Sequence, residues 1–399
     1  MRRITIFLCL AGCLLAQGGN ILEQADTAFR AGDLERAAAL ASKALAAEPG
    51  SVHAHMILGV IAAQRTEWDA ATKHFEAVVR VEPSNPYGYF YLGQANLYQQ
   101  KWEKAAQLFL KAQRARYPDQ ERLMVELAMA QNESGHPQDA LASLAKISAP
   151  REGPLAAQYY GITALAKAKL NQPGPALEAG RRAREIDDSN PDYWGFLVST
   201  LIGTNQTNQA LMEAIRAQAK FPDHPDIQFL FSLASYYVTH SPLTKLALRN
   251  LREAEPDSAR VLLVQGLLHR KQGRTEEATR AFIQAAKRGV PDAHLLLGII
   301  YKENGDYEAA QREYREAERA NPQNGQLLLE MGKLLLAQGD TKAALARLQK
   351  AAEYMPGASA VHYQLGLVYG RLGEKEKAEQ HLSLSRKLDR EQAELPHQP

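Results

Sequence analysis

Apolar and small residues recur at spacings of three and four along nearly the whole chain, which is the period of an amphipathic helix. The stretch "LLLGIIYKENGDYEAAQREYREAERANPQN", from Leu295 to Asn324, shows the arrangement. An apolar run carries Gly298 in its middle. A polar turn with Gly305 follows, then a second helical stretch rich in alanine, then Pro322. A glycine inside a helix costs about 0.5–1 kcal/mol relative to alanine, so Gly298 asks for a reason. The next stretch, "LLLEMGKLLLAQGDTKAALARLQKAAEYMPG", repeats the arrangement 34 residues later.

The same period finds small residues at Ala25, Gly59, Gly93, Ala128, Ala164, Val198, Ser232, Gly266, Gly298, Gly332 and Gly366. The steps between these anchors run from 32 to 36 residues, and most are 34. Twelve positions after each anchor stands an alanine, from Ala37 and Ala71 to Ala344 and Ala378, with Thr244 as the exception. Proline closes most repeats, at Pro49, Pro83, Pro118, Pro222, Pro256, Pro322 and Pro356. The pattern predicts eleven helix–turn–helix units. Gly298 then lies where the first helix presses on the second, its missing side chain letting the backbones approach, with Ala310 as its counterpart. Gly305 suits a left-handed turn residue, and Pro322 stops the second helix. One helix pair cannot bury its apolar face alone, whereas a stack of pairs can.

This pattern resembles the tetratricopeptide repeat over roughly residues 18–390. Leu297-Gly298, Tyr301, Gly305, Tyr307, Ala310, Tyr314, Ala317 and Pro322 stand where that family places its landmarks. The resemblance implies an all-α protein, an α-solenoid wound as a right-handed superhelix of about eleven helix–turn–helix units. One irregularity, "ISAPREGPLAAQ" at Ile147–Gln158, suggests a bend between units 1–4 (residues 18–150) and units 5–11 (residues 151–390). Degeneracy of a repeat explains it equally well. The polar end, residues 391–399, reads as a disordered tail.

The first sixteen residues differ from all of this. "MRRITIFLCLAGCLLA" has a basic start at Arg2 and Arg3 and an apolar run too short to span a bilayer, which is the layout of a secretory signal. Leu10-Ala11-Gly12-Cys13 resembles a bacterial lipobox, whose cysteine becomes the lipid-modified first residue of the mature chain. Ordinary cleavage after Ala16 is the alternative, disfavoured because Leu14 is not small. Cys9 and Cys13 are the only cysteines, so the repeats hold no disulfide, thiolate zinc site or cysteine nucleophile. Loss of residues 1–12 removes Arg2 and Arg3 and takes the net charge from +2 to zero.

Charge adds little further direction. The 47 Lys and Arg nearly balance 45 Asp and Glu, which argues against a broad nucleic-acid surface. No phosphate-binding loop, dinucleotide fingerprint, zinc-protease helix or nucleophile elbow is present. His53 and His55 stand two apart on a helix and point in different directions, so they read as scattered surface histidines. No catalytic constellation, metal site or cofactor is expected.

Surface remains. By the resemblance, the first helix of each unit lines a concave side, with positions 2, 5, 9, 12 and 13 on one face. In unit 3 these are Tyr87, Phe90, Gln94, Leu97 and Tyr98; in unit 7 they are Asp226, Phe229, Leu233, Tyr236 and Tyr237. Two aromatic patches suit a protein, peptide or glycan partner, because tyrosine gives large contact area at small entropy cost. Packing of the same rings against the next unit is the alternative. Trp194, at position 4, reads as core. Chaperone-binding members of the family pair lysine at position 5 with asparagine at position 9, and no unit here does. The expected role is a non-catalytic adaptor of the bacterial envelope, membrane-held only through a lipid on Cys13, otherwise periplasmic or secreted. A substrate-docking subunit of an envelope enzyme or polysaccharide-export complex is the second reading.

Overall fold

A computed structural model describes residues 19–204, 206–238 and 242–394. Cys13 and the lipobox lie outside the described residues. The chain divides into two compact units, residues 1–189 and 190–399. The first carries α1 (Gly19–Arg30), α2 (Leu34–Ala47), α3 (Val52–Gln64), α4 (Trp68–Val81), α5 (Pro86–Tyr98), α6 (Trp102–Arg114), α7 (Gln120–Glu133), α8 (Pro137–Leu144), α9 (Gly153–Lys169) and α10 (Pro173–Ile186). The second carries α11 (Pro191–Gly203), α12 (Thr207–Lys220), α13 (Pro225–Val238), α14 (Pro242–Ala254), α15 (Ala259–Lys271), α16 (Thr275–Lys287), α17 (Pro291–Glu303), α18 (Tyr307–Ala320), α19 (Gly325–Ala337), α20 (Thr341–Tyr354), α21 (Ser359–Arg371) and α22 (Lys375–Glu394).

These are eleven helix pairs, and no strand occurs among the described residues. Each odd-numbered helix packs on the even-numbered helix after it, and within each compact unit most successive odd-numbered helices also meet, as α3 with α5 and α19 with α21. This is solenoid packing. The twelfth residue after each anchor is buried in every pair, including Thr244.

Local chemistry sets the boundaries. Ser51, Asn85, Asp119, Asn190, Ser258 and Asn324 cap odd-numbered helices by accepting a backbone N–H of the first turn. Asp33, Asp306 and Asp340 do the same for even-numbered ones. In the nine repeats where it is described, the turn residue seven positions after the anchor is left-handed, and glycine fills it at Gly32, Gly135, Gly273, Gly305, Gly339 and Gly373. Thr66, Gln100 and Asn171 hold the same conformation without being glycine.

The anchor glycines have a different partner from the one expected. A Cβ built on Gly59, Gly93, Gly266, Gly298, Gly332 or Gly366 would lie 2.3–2.7 Å from a side chain sixteen residues later. Those side chains are Phe75, Phe109, Phe282, Tyr314, Leu348 and Leu382. At Gly298 the missing methyl makes room for the Tyr314 ring, rather than for backbone opposite Ala310. At Gly366 a backbone atom is also near, the Ala378 carbonyl oxygen at 3.2 Å. The pairs are complementary in size. Where the anchor grows to Ala25, Ala164 or Val198, the residue sixteen later is Ala41, Gly180 or Ala214, whereas Ala128 and Ser232 face the intermediate-sized Leu144 and Leu248.

Two irregular stretches of the sequence can be placed. The irregular stretch at 147–158 lies inside the first compact unit. There α8 is only eight residues long, and α7 packs directly on α9. The tail expected from 391 is helical as far as Glu394, because α22 continues through the polar sequence. Residues 395–399 lie outside the described residues.

Candidate binding surface

The five positions assigned to a concave stripe on α5 do not share one environment. Asn85 caps the helix through Gly88 N–H at 2.9 Å, and Pro86 starts it. Everything from Phe90 to Leu97 is buried, because α3, α4, α6 and α7 all pack on this one helix. Phe90 is wholly covered. It stacks on Tyr117 at 4.2 Å between centroids and touches Tyr91 and Phe109. Leu97 is also buried, and Gln94 donates to Glu126 of α7 at 2.8 Å. These three are corrected from groove residues to packing residues. Period alone locates a stripe, but the next odd-numbered helix covers most of its width. Tyr87 is half-buried, edge-on to Tyr117 at 5.4 Å. Burial, then the neighbouring Tyr91, pushes the Tyr117 phenol well above its ordinary range.

Tyr98 is 40% exposed. Its ring stacks on Trp68, the first residue of α4, at 4.5 Å and 10°. Trp68 also lines an open pocket of about 790 Å³ with His55, Glu67, Asp69, Lys73, His74 and others. Trp68 opens a second helix, outside the stripe that first helices define. The signal available was a tryptophan at the opening position of α4, matched by Trp102 at the same position of α6.

On α13 the second patch is tied into α15. Arg260 lies over the Phe229 ring at 5.2 Å and pairs with Asp226 at 2.6 Å and with Glu255. The Arg260 hydrogen bond holds the Glu255 carboxyl below its usual range despite burial. Lys271 lies over the Tyr236 ring at 4.7 Å and donates to the Tyr236 carbonyl. Tyr236 is half-buried and Leu233 partly so, while Tyr237, edge-on to Tyr236 at 5.2 Å, is 51% exposed. Burial raises the Tyr236 phenol, and Arg270 opposes it.

The Lys271 contact recurs. Lys169 donates to the Asn132 carbonyl at 2.5 Å and Arg371 to the Leu336 carbonyl at 3.1 Å. Each donor stands five residues after its anchor, and each acceptor four residues after the preceding one. A cation of one repeat thus caps the C-terminus of the previous first helix, where carbonyls lack partners and the dipole is negative. Elsewhere on this face Lys302 of α17 and Lys333 of α19 hold the buried Glu330 carboxylate, Lys333 at 2.7 Å. Burial alone would raise that carboxyl; the two lysines outweigh it and leave it below its ordinary value. Trp194 is buried against Ala217 and Ile227. Among the described residues no three His, Cys, Asp or Glu side chains are placed to share an ion, and no helix is long and apolar enough to cross a membrane.

Two tetratricopeptide-repeat models match the chain, one over residues 22–71, 62–121 and 245–294, the other over 301–350 and 335–395. Together they take in more than half of it. The chain is a tetratricopeptide-repeat protein. Similar proteins include anaphase-promoting complex subunit 3 of Schizosaccharomyces pombe, 22% identical over 225 residues, 55% of this chain and 33% of that one. The BBSome complex member bbs-4 of Caenorhabditis elegans is 24% identical over 226 residues, 53% of this chain and 48% of that one. The type IV pilus assembly protein PilF of Pseudomonas aeruginosa is 29% identical over 141 residues, 34% of this chain and 56% of that one. The alignments thus span from a third to just over half the length of these relatives. Among solved structures, the APC/C hetero-tetramer Cut9-Hcn1 matches 94% of this tetratricopeptide-repeat chain and 87% of its own at 12% identity, with a TM-score of 0.51. That likeness concerns the fold.

Proposed function

We propose that this protein is a non-catalytic protein-binding adaptor of the bacterial cell envelope, exported and anchored through a lipid on Cys13. The tetratricopeptide fold supports the adaptor part, since stacked helix pairs leave an extended face for a partner. The envelope part is supported by the signal-like first sixteen residues and their Leu10–Cys13 segment. The likeness to a type IV pilus assembly protein points the same way. The single observation that carries the binding site is the exposed Tyr98 ring stacked on Trp68 beside an open pocket. A stacked aromatic pair is rigid, so little entropy is lost when a partner covers it. Tyr87 stands at the opposite end of α5, against Tyr117, and Tyr237 is the corresponding exposed ring of the second compact unit.

Cross-linking in the membrane fraction, with mass spectrometry of what is captured, tests the adaptor reading. Tyr98→Ala is expected to weaken capture by about 2 kcal/mol, as hot-spot aromatics do, with melting nearly unchanged. Undiminished capture refutes the site. The intact mass of the mature N-terminus tests the anchor: a diacylated Cys13 supports it, since stable attachment needs two chains, and an unmodified chain starting at Gln17 refutes it.

A further inference from the structure

Histidine recurs at one position of the repeat. Four residues before an anchor stand His55, His294 and His362. Fifteen residues after the same anchors, on the following helix, stand His74, Glu313 and His381. The structure joins each couple. The Nδ1 atoms of His55 and His74 lie 3.0 Å apart, those of His362 and His381 3.1 Å apart, and His294 Nδ1 lies 2.7 Å from Glu313 Oε2.

In the two histidine pairs the outer nitrogen is fixed as well. His55 Nε2 lies 3.2 Å from the Pro49 carbonyl oxygen and His362 Nε2 2.8 Å from that of Pro356. A carbonyl oxygen only accepts, so each Nε2 carries the proton and each Nδ1 presents a bare lone pair. His74 and His381 must then donate their own Nδ1–H into that lone pair. Glu313 also only accepts, so in the third couple the proton stays on His294 Nδ1 and no lone pair is offered there.

We propose that the His55–His74 and His362–His381 pairs are binding sites for a divalent transition-metal ion of the zinc class. Imidazole nitrogen is the ligand such ions favour, whereas magnesium and calcium take oxygen. A ligating histidine characteristically donates its other ring N–H to a carbonyl or carboxylate, which orients the ring. His55 and His362 already stand in that arrangement. A tetrahedral ion with Zn–N of about 2.0–2.1 Å holds two nitrogens about 3.3 Å apart. The pairs therefore need to open by a few tenths of an ångström and turn slightly. The proton balance is simple: the Nδ1 proton of His74 or His381 leaves and Nε2 takes one up. A neutral pair thus binds the ion without net proton release.

At the first pair the surroundings admit the ion. Glu67 and Asp69 line the open pocket beside His55 and His74, and their charge draws a cation despite Lys73 in the same wall. At the second pair the Tyr369 ring stacks on His381 at 5.4 Å and 11°, fixing its plane. With two ligands from the chain, water fills the remaining positions and the ion exchanges. Bound there, it ties the first helix of the repeat to the second.

The test titrates the full, untagged chain with zinc chloride by calorimetry and follows melting. Uptake of two zinc ions per chain is expected, with a melting temperature that climbs with zinc concentration and ignores magnesium. The double variant His74→Gln, His381→Gln should lose both responses. No uptake by the natural chain, or unchanged uptake by the variant, overturns the proposal. If circular dichroism finds the variant unfolded, the natural chain decides alone. Zinc should shield the partly exposed His55, His74 and His381 from diethyl pyrocarbonate, read by peptide mass, and equal modification with and without zinc overturns the assignment.

Discussion

Replacing Gly298 by alanine tests the size rule that spaces the two helices of a repeat. The new Cβ would lie 2.3 Å from Cε1, 2.4 Å from Cδ1 and 3.1 Å from Cζ of Tyr314. Ordinary carbon contacts begin near 3.5 Å, so the ring must retreat by about 1 Å. The open space beside it is a pocket of about 170 Å³, shared with Gln311, Met331, Leu334 and Leu335, which can take up only part of that shift. Tyr314 is fully buried, packed with Leu295, Ala310, Ala317, Leu327, Met331 and Leu334. Overpacking of this kind costs about 1–3 kcal/mol, and the helix preference for alanine returns about 0.5–1 kcal/mol. A net loss of about 1–2 kcal/mol follows. The decisive variant is the double, Gly298→Ala with Tyr314→Leu, which copies the Ala128 and Leu144 couple of the fourth repeat. Tyr314→Leu alone leaves a void and is destabilising. The methyl at 298 partly fills that void, so the double should cost less than the sum of the singles by about 0.5–3 kcal/mol. Hydrogen exchange of the α17 and α18 amides reads the effect in the repeat concerned, since a solenoid opens locally. Additive losses, or a neutral Gly298→Ala, would show that the two residues do not share the space and would refute the rule.

Further outcomes follow from single contacts. Thr66 is β-branched and holds φ at 62° where most repeats have glycine, so Thr66→Gly should raise the melting temperature, corresponding to about 1 kcal/mol of relieved strain. The Tyr314 hydroxyl is buried without a hydrogen-bond partner among the described residues; Tyr314→Phe, copying Phe75, Phe109 and Phe282, should stabilise by about 1 kcal/mol in urea unfolding. Phe90→Ala should cost about 3–5 kcal/mol, in contrast to the near-neutral Tyr98→Ala. Glu330 has a folded value below the unfolded one of about 4.5, so its stabilisation is present above pH 4.5 and lost as pH falls through the folded value. Glu330→Gln should flatten stability measured across that acid range.

The fold was largely legible because a repeat multiplies weak signals. One glycine in a helix means little, but a small residue every 34 positions with alanine twelve later fixes both helices and the turn between them. What the anchor glycine makes room for was not legible from that reading. A repeat pattern relates each position to its equivalents in other repeats, not to its partner sixteen residues on. The size rule is a correlation between two positions, visible as Gly59 with Phe75 against Val198 with Ala214 only once the structure says that they touch.

The candidate surface failed to be legible for a related reason. A 3.6-residue period tells which side chains share a stripe, and Tyr87, Phe90, Gln94 and Tyr98 do. It does not tell how wide the neighbouring helix is. In a solenoid each first helix is flanked by two others, so its stripe is covered from both sides and only the rim stays wet. Tyr98 and Tyr237 sit near the C-terminal ends of α5 and α13, on that rim, while Phe90 sits about two turns further in and is lost to the core. The same logic hides the histidine pairs. His53 and His55 look like neighbours along the chain, yet the chemistry is between His55 and His74, nineteen residues apart, and its signal was the identical spacing of His362 and His381. Within a repeat protein, the informative comparison is between two positions of one unit across all units, because packing acts on pairs.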